Sequence, residues 1–284
     1  METTAEAKLT VLTDMSMEHY GVVVQAVAEE LRALRASLVE TAGTIAHAQS
    51  ASRGPITDLG AAIEEHVAEQ LRAADPGTVV LGSERGDSNT PQRYWLVKPI
   101  DSTMHFVRGN PYYCCTFTLI IDDAPVVGAI YNFATDQLYY AIRGHGAYHN
   151  GERMYVGAHS PVNAAVLMDA DTSLTHSAPL HDALAAQYQL LSLLAPAHEL
   201  SMIANGRADA RVCIDTTGPD GDFAAGALLV QEAGGVARNL TGADYHTGDH
   251  ELIVASSPEL YEQLCSLVVT SRETAKPAVA YAAM

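Results

Sequence analysis

Between positions 95 and 106 the chain carries an ammonium (Lys98), a carboxylate (Asp101), two hydroxyls (Ser102 and Thr103) and an imidazole (His105). Opposite charges gathered in a pocket perturb one another's proton affinity, which makes such a group a candidate for acid–base chemistry. The chain as a whole is strongly acidic, with 34 Asp and Glu against 16 Lys and Arg and a formal net charge of -18. That field repels nucleic acid and anionic membrane surfaces, and neither is expected as a partner. An anionic small-molecule substrate would need a local cation, either a metal ion or a few placed Lys and Arg side chains. His145 and His149 have H-x-x-x-H spacing but fall in a hairpin, where the two rings do not converge as on a helix, so no zinc site is expected. The four cysteines (Cys114, Cys115, Cys213, Cys265) are too few and too badly spaced for a disulfide framework. Adjacent Cys114 and Cys115 in a strand point to opposite faces and read as core.

The elements that must position these groups follow from periodicity. With 284 residues, 48% of them hydrophobic and 18% charged, the chain has the composition of a globular protein with room for a substantial core. No basic segment followed by an apolar run opens the chain, and no apolar stretch is long enough to span a membrane, so a cytoplasmic location is expected. Residues 17–46 show helical spacing, with Val22, Val23, Ala26, Val27 and Leu31 on one stripe. Thr57 or Asp58 caps a second helix, which runs to Ala74 and stops before Asp75-Pro76-Gly77. From Val79 the period falls towards two, and 79–81, 94–97, 114–121, 126–133 and 138–142 read as an antiparallel meander with hairpin turns. Beyond Pro161 the pattern alternates: strands at 164–168, 210–213 and 252–255, helices at 180–191, 197–204, 223–233 and 258–268. The expected organisation is α/β (α+β), with N-terminal helices and an antiparallel sheet over 1–157, a C-terminal α/β sub-domain over 158–270 and a flexible tail over 271–284.

The segment Trp95-Leu96-Val97-Lys98-Pro99-Ile100-Asp101-Ser102-Thr103-Met104-His105-Phe106 resembles the signature of the inositol monophosphatase family. That signature is a Trp, two apolar residues, Asp-Pro-Ile-Asp-Gly-Thr, one residue and Asn-Phe. Further matches follow in order. Gly144-His145-Gly146-Ala147-Tyr148-His149-Asn150-Gly151 resembles the family's G-x-G-A-x-x-N-G hairpin, and Ala204-Asn205-Gly206-Arg207-Ala208-Asp209-Ala210 its V-A-x-G-R-x-D-A segment. Asp222-Phe223-Ala224-Ala225-Gly226 with Glu232-Ala233-Gly234-Gly235 resembles the second signature, W-D-x-A-A-G followed by E-A-G-G. The resemblance implies a layered αβαβα fold, a homodimer, and phosphomonoesterase activity dependent on two or three magnesium ions. Magnesium is a hard cation that takes oxygen ligands, and clustered metals stabilise both the attacking and the leaving oxygen. The resemblance also places a helix start after the Asp-Gly-Thr turn, where backbone N–H groups face phosphate.

Carried over residue by residue, that metal site is depleted. The first Asp of D-P-I-D-G-T is Lys98, and its Gly is Ser102. The family's G-E-E falls on Gly82-Ser83-Glu84, T-E-x-D on Thr57-Asp58-Leu59-Gly60, and the Trp before the second-signature Asp is Gly221. Asp101, Thr103, Asp222, Glu84 and the carbonyl of Ile100 remain. Two unit charges ~4 Å apart interact by ~4 kcal/mol at an effective dielectric of 20, and a dication doubles that, so Lys98 and magnesium should exclude each other. The leading expectation is therefore a repurposed enzyme with no metal and no other cofactor. Lys98, Asp101 and Asp222, with Thr103 and His105, would form its acid–base cluster, and Ser83, Glu84, Ser102, Ile100 and Arg108 would contact the substrate. Its reactions would be elimination, cyclisation or condensation of a small polar metabolite in specialised biosynthesis. Two alternatives stay open: a phosphomonoesterase keeping one magnesium on Asp101, Asp222 and Glu84, and a non-catalytic binding or scaffold protein.

Overall fold

The computed structural model describes residues 17–44, 48–50, 54–56, 58–82, 90–158, 161–168, 177–214, 221, 223–249 and 251–274. Helix α1 (Met17–Thr41) buries Tyr20, Val23, Val24, Val27, Ala28, Leu31 and Leu38, the three-and-four spacing of one helical face. A short hairpin, β1 (Ala48–Ser50) with β2 (Gly54–Ile56), leads into α2 (Asp58–Ala74). Both helices lie on a seven-stranded sheet of β3 (Val79–Gly82), β4 (Arg93–Asp101), β5 (Cys114–Ile121), β6 (Ala124–Asn132), β7 (Gln137–Ile142), β8 (Gly146–His149) and β9 (Glu152–Met154), in that spatial order. The meander is antiparallel except at its first pair, because β3 runs parallel to β4. The six-residue helix α3 (Thr103–Arg108) follows β4 directly.

The second half begins with a 3-10 turn (Pro161–Asn163). It then builds a five-stranded sheet in the order β11 (Gln189–Leu191), β10 (Ala165–Leu167), β12 (Ala210–Cys213), β14 (Leu252–Ala255), β13 (Val236–Arg238). The helices of this half are α4 (Ser177–Ala185), α5 (Pro196–Ala204), α6 (Ala224–Glu232) and α7 (Pro258–Thr274).

Side-chain parity sorts the core into three apolar layers. Trp95, Val97, Cys115, Phe117, Leu119 and Tyr131 face α1 and α2. Their neighbours Tyr94, Leu96, Cys114 and Ile130 face the other way, onto Leu200, Ile203, Ala224, Ala225 and Leu228 of α5 and α6. The same middle layer takes Leu167, Cys213, Leu252 and Val254 from the second sheet, whose other face packs Val166, Val212 and Ile253 against Leu180, Leu264 and Val268 of α4 and α7. The result is the αβαβα sandwich that the resemblance implied. Gly128 on β6 lets α6 lie almost on the sheet, since a Cβ there would sit 2.9 Å from the Ala225 Cα.

Three sequence readings are corrected. The helix expected over 180–191 stops at Ala185, and Gln189–Leu191 pairs in parallel with β10 as an edge strand. The first helix ends at Thr41, short of 46, and the last helix continues to Thr274, so 271–274 are helix rather than tail. Among the described residues, no helix is long and apolar enough to cross a membrane.

Candidate active site

Lys98 and Asp101 are three residues apart on β4, a spacing that puts side chains on opposite faces of a regular strand. A register shift reverses the parity: Lys98 pairs with Thr116 while Asp101 pairs with Cys114, so β4 holds one more residue than β5 across this interval. Ile100 consequently packs with the α1–α2 layer, and Lys98 and Asp101 both face α5 and α6. The bulge contains Pro99, which has no N–H to give to a ladder.

The two side chains form an ion pair, with Lys98 Nζ 3.0 Å from Asp101 Oδ1; the ammonium side chain is 18% exposed and the carboxylate 1%. Asp101 Oδ2 accepts the backbone N–H of Ala197 at 3.0 Å and lies 3.2 Å from the Ser102 hydroxyl. Ala197 is in the first turn of α5, which starts at Pro196, so the carboxylate also meets the positive end of that helix. Oδ1 is buried and takes no directional hydrogen bond; its close neighbour is the ammonium.

Ser102 has φ 63°, the left-handed region, at the position where the resembling signature has Gly. Its hydroxyl also lies 3.1 Å from the Leu194 carbonyl. His105 Nε2–H donates to the Leu193 carbonyl at 2.6 Å, and its Nδ1 accepts from Asn110 at 3.2 Å. Both ring nitrogens are thus engaged, and His105 ties α3 to the turn before α5. Thr103 opens α3, half-buried, while Arg108 at its far end is exposed with no ion pair among the described residues. Ser83, Glu84 and Asp222 lie outside the described residues. Their neighbours are placed: Gly82 pairs with Val97, next to Lys98, and the Gly221 carbonyl accepts from Thr116, opposite Lys98.

Two groups at this end of the sheet were not anticipated. The Glu64 carboxylate of α2 approaches Gly82 so closely that a Cβ at position 82 would overlap it. His198 on α5 accepts from Asn132 Nδ2 at Nδ1 (3.3 Å) and packs against the Tyr112 ring, whose centroid lies 5.2 Å away. Burial pushes the His198 pKa down; the Asp101 charge opposes that, and Arg207 and His105 add to it. The imidazole is therefore neutral at neutral pH, and with Nδ1 accepting it carries its proton on Nε2. Nothing in local sequence marks His198, which reaches the site through the α5 packing. Nothing in local sequence marks Glu64 either, since it reaches Gly82 only through the packing of α2 beside β3. His149, by contrast, stacks on Tyr139 with centroids 4.5 Å apart and bonds Gln137.

Fold and site define a five-layer α/β protein whose buried carboxylate, at a bulged strand end, lies under a helix start from the other half of the chain. A family model described as the inositol monophosphatase family matches residues 9–273. This chain belongs to that family. It is 32% identical over 204 residues to "Inositol monophosphatase 2" of Solanum lycopersicum, covering 67% of this chain and 76% of the relative. It is 25% identical to the "Inositol-1-monophosphatase" of Bacillus subtilis, over 74% of this chain and 81% of that one. The solved IMPase of Thermotoga maritima shares the fold with a TM-score of 0.80 at 20% identity, over 92% of this chain and 100% of that one.

These findings correct the leading sequence expectation. Membership across nearly the whole chain, with relatives named as phosphatases, overturns the reading of a repurposed, metal-independent acid–base enzyme of specialised biosynthesis, and with it the expectation of no cofactor. Charge exclusion by Lys98 was pressed too far, because it treated one ammonium as closing a site that still presents a buried, undirected carboxylate oxygen.

Proposed function

We propose that the protein is a phosphomonoesterase that hydrolyses a small phosphate ester with the help of one magnesium ion. The observation that carries this reading is Asp101: one oxygen is fixed by the Ala197 N–H, and the other is turned, without a directional hydrogen bond, toward the Lys98 ammonium. A hard anionic oxygen held in this way fits magnesium. Asp101 and the Ile100 carbonyl would hold it, joined by Glu84 and Asp222, whose neighbours Gly82 and Gly221 flank Lys98. When bound, magnesium supplies Lewis acidity that draws charge from the phosphoryl group.

The chain's own groups do the rest. Lys98 places a fixed positive charge beside Asp101, where a phosphate dianion needs one in a protein of net charge -18. The Ala197 N–H holds the carboxylate in one orientation, so no reorganisation is needed when substrate arrives. Ser102 and Thr103 would offer hydroxyls on the phosphate side, and Arg108 a peripheral cation. His105 acts as a positioning residue, since its ring bonds fix the turn at Leu193. Overall, water adds to phosphorus and the ester oxygen leaves as the alcohol, giving inorganic phosphate. The names of the relatives make inositol monophosphates the first substrates to test. The same reading takes the protein to be cytoplasmic and homodimeric; the burial of Cys114, Cys115 and Cys213 in apolar layers is in keeping with a reducing compartment.

The test is phosphate release from inositol 1-phosphate in millimolar magnesium, with and without chelator. Release that disappears with chelator and returns with added magnesium is expected. No release with magnesium, or release indifferent to chelator, overturns the reading.

A further inference from the structure

Among the described non-glycine residues with positive φ, Asp122, Asp123, Asp136 and Asn150 are of the types that tolerate the left-handed region. The other two are Ser102, at 63°, and Leu194, at 55°, and the Ser102 hydroxyl lies 3.1 Å from the Leu194 carbonyl. For a bulky residue this conformation is an outlier, since its Cβ crowds its own backbone. Strain of this kind persists where surrounding structure over-determines it, and it collects at functional sites.

The surroundings are plain. The Leu193 carbonyl accepts from His105, the Leu193 N–H donates to Glu199, and Ala195 begins the entry to α5, whose Ala197 N–H holds Asp101. Position 194 is thus held between Leu193, tied to His105 and Glu199, and the entry to α5, whose Ala197 N–H meets Asp101. Glycine would fit this backbone without strain. Core packing does not account for the leucine, because Leu194 is 51% exposed while its neighbour Leu193 packs on the middle layer. The backbone carbonyl of this exposed, strained leucine is held by Ser102, the residue next to Asp101, so the position belongs to the site.

We infer that Leu194 determines specificity in this site by giving the alcohol half of the phosphate ester an apolar wall, so that esters of alcohols with an apolar face are favoured over wholly polar polyol phosphates. This rests on the phosphomonoesterase reading. With phosphate at Lys98 and Asp101, the alcohol half lies outward, and Leu194 is an exposed apolar residue there, its backbone carbonyl accepting from Ser102 next to Asp101.

Two probes in the presence of magnesium test the inference: phenylphosphonate, whose P–C bond resists hydrolysis, and inorganic phosphate. In titration calorimetry, Leu194→Gly and Leu194→Asn should each bind phenylphosphonate about tenfold more weakly than the wild type while inorganic phosphate binds as before. Leu194→Gly should also raise the thermal midpoint by about 2–4 °C as strain is removed. Asn tolerates the same backbone, so it separates loss of the apolar side chain from a loosened turn. Unchanged phenylphosphonate affinity in either variant, equal loss for both probes, or no phenylphosphonate binding by the wild type overturns the inference. Hydrolysis of phenyl phosphate and inositol 1-phosphate is followed in parallel. A binding difference without turnover of either ester would sink the phosphatase reading and leave the apolar subsite standing.

Discussion

On the phosphomonoesterase reading, Lys98 and a magnesium ion would compete for the same oxygen. The ammonium lies 3.0 Å from Asp101 Oδ1, and at ~4 Å a unit charge and a dication repel by ~8 kcal/mol at an effective dielectric of 20, less wherever solvent enters. The lysine side chain is 18% exposed, so it can swing towards solvent or towards a substrate phosphate and would leave the fixed Asp101 oxygen free for a metal. Affinity for magnesium should then be weak in the free protein and tighter once a phosphate is present to take the lysine's charge. Lys98→Asp should tighten magnesium binding without phosphate by at least about tenfold, read by titration calorimetry. It should also weaken phosphate binding, because the fixed cation has become an anion. Magnesium affinity equal to that of the wild type would mean that Lys98 does not compete for the Asp101 oxygen.

At the scale of elements, the site depends on how closely α6 lies on the large sheet. Gly128 sits against the backbone of Ala225, and backbone cannot move aside as a flexible side chain can. Gly128→Ala should therefore cost about 1–3 kcal/mol in urea unfolding, the range for overpacking a tight contact. It should reduce activity as well, because the first turn of α6 follows Gly221, whose carbonyl is fixed by Thr116 opposite Lys98. Stability and activity both unchanged would show that the helix adapts. These dependencies also explain what the sequence could and could not reveal. The signature residues and the alternating patterns gave both helices of the first layer, the meander and the groups around Asp101, because they are local. The bulge at Pro99 was hidden, although it puts Lys98 and Asp101 on one face, since a run of strand-forming residues does not announce an unpaired one. The helical reading of 180–191 failed for a similar reason: Gln189, Leu190 and Leu191 become strand only because β10 is there to pair with. His198 and Leu194 matter through contacts with residues about ninety positions earlier, which no local pattern encodes.

Across the whole molecule, the question is what fixes the second half of the chain to a carboxylate in the first. Hydrogen bonds from Ala197 to Asp101, from Ser102 to the Leu194 carbonyl and from His105 to the Leu193 carbonyl are among those that run between the two halves here. The end of α5 that receives them is itself anchored by a buried ion pair, Glu199 on α5 with Arg211 on β12, both side chains nearly inaccessible to solvent. The other oxygen of Glu199 accepts the Leu193 N–H at 3.0 Å, and the Arg211 guanidinium lies over the Phe223 ring just ahead of α6. A single pair thus links the middle helices, the second sheet and the turn that carries Leu194. Breaking a buried pair from one side leaves an uncompensated charge and costs about 3–5 kcal/mol, whereas replacing both members with apolar residues is close to neutral. Glu199→Met should accordingly lose that much stability in urea unfolding, and Glu199→Met with Arg211→Met should recover most of it. The double variant, though stable, no longer holds the Leu193 N–H. Its affinity for phenylphosphonate should fall with that of Leu194→Gly if the turn is what shapes the alcohol side of the site. A stable double variant with wild-type affinity would instead show that α5 and Ser102 alone position the turn, and that the ion pair serves the fold and nothing more.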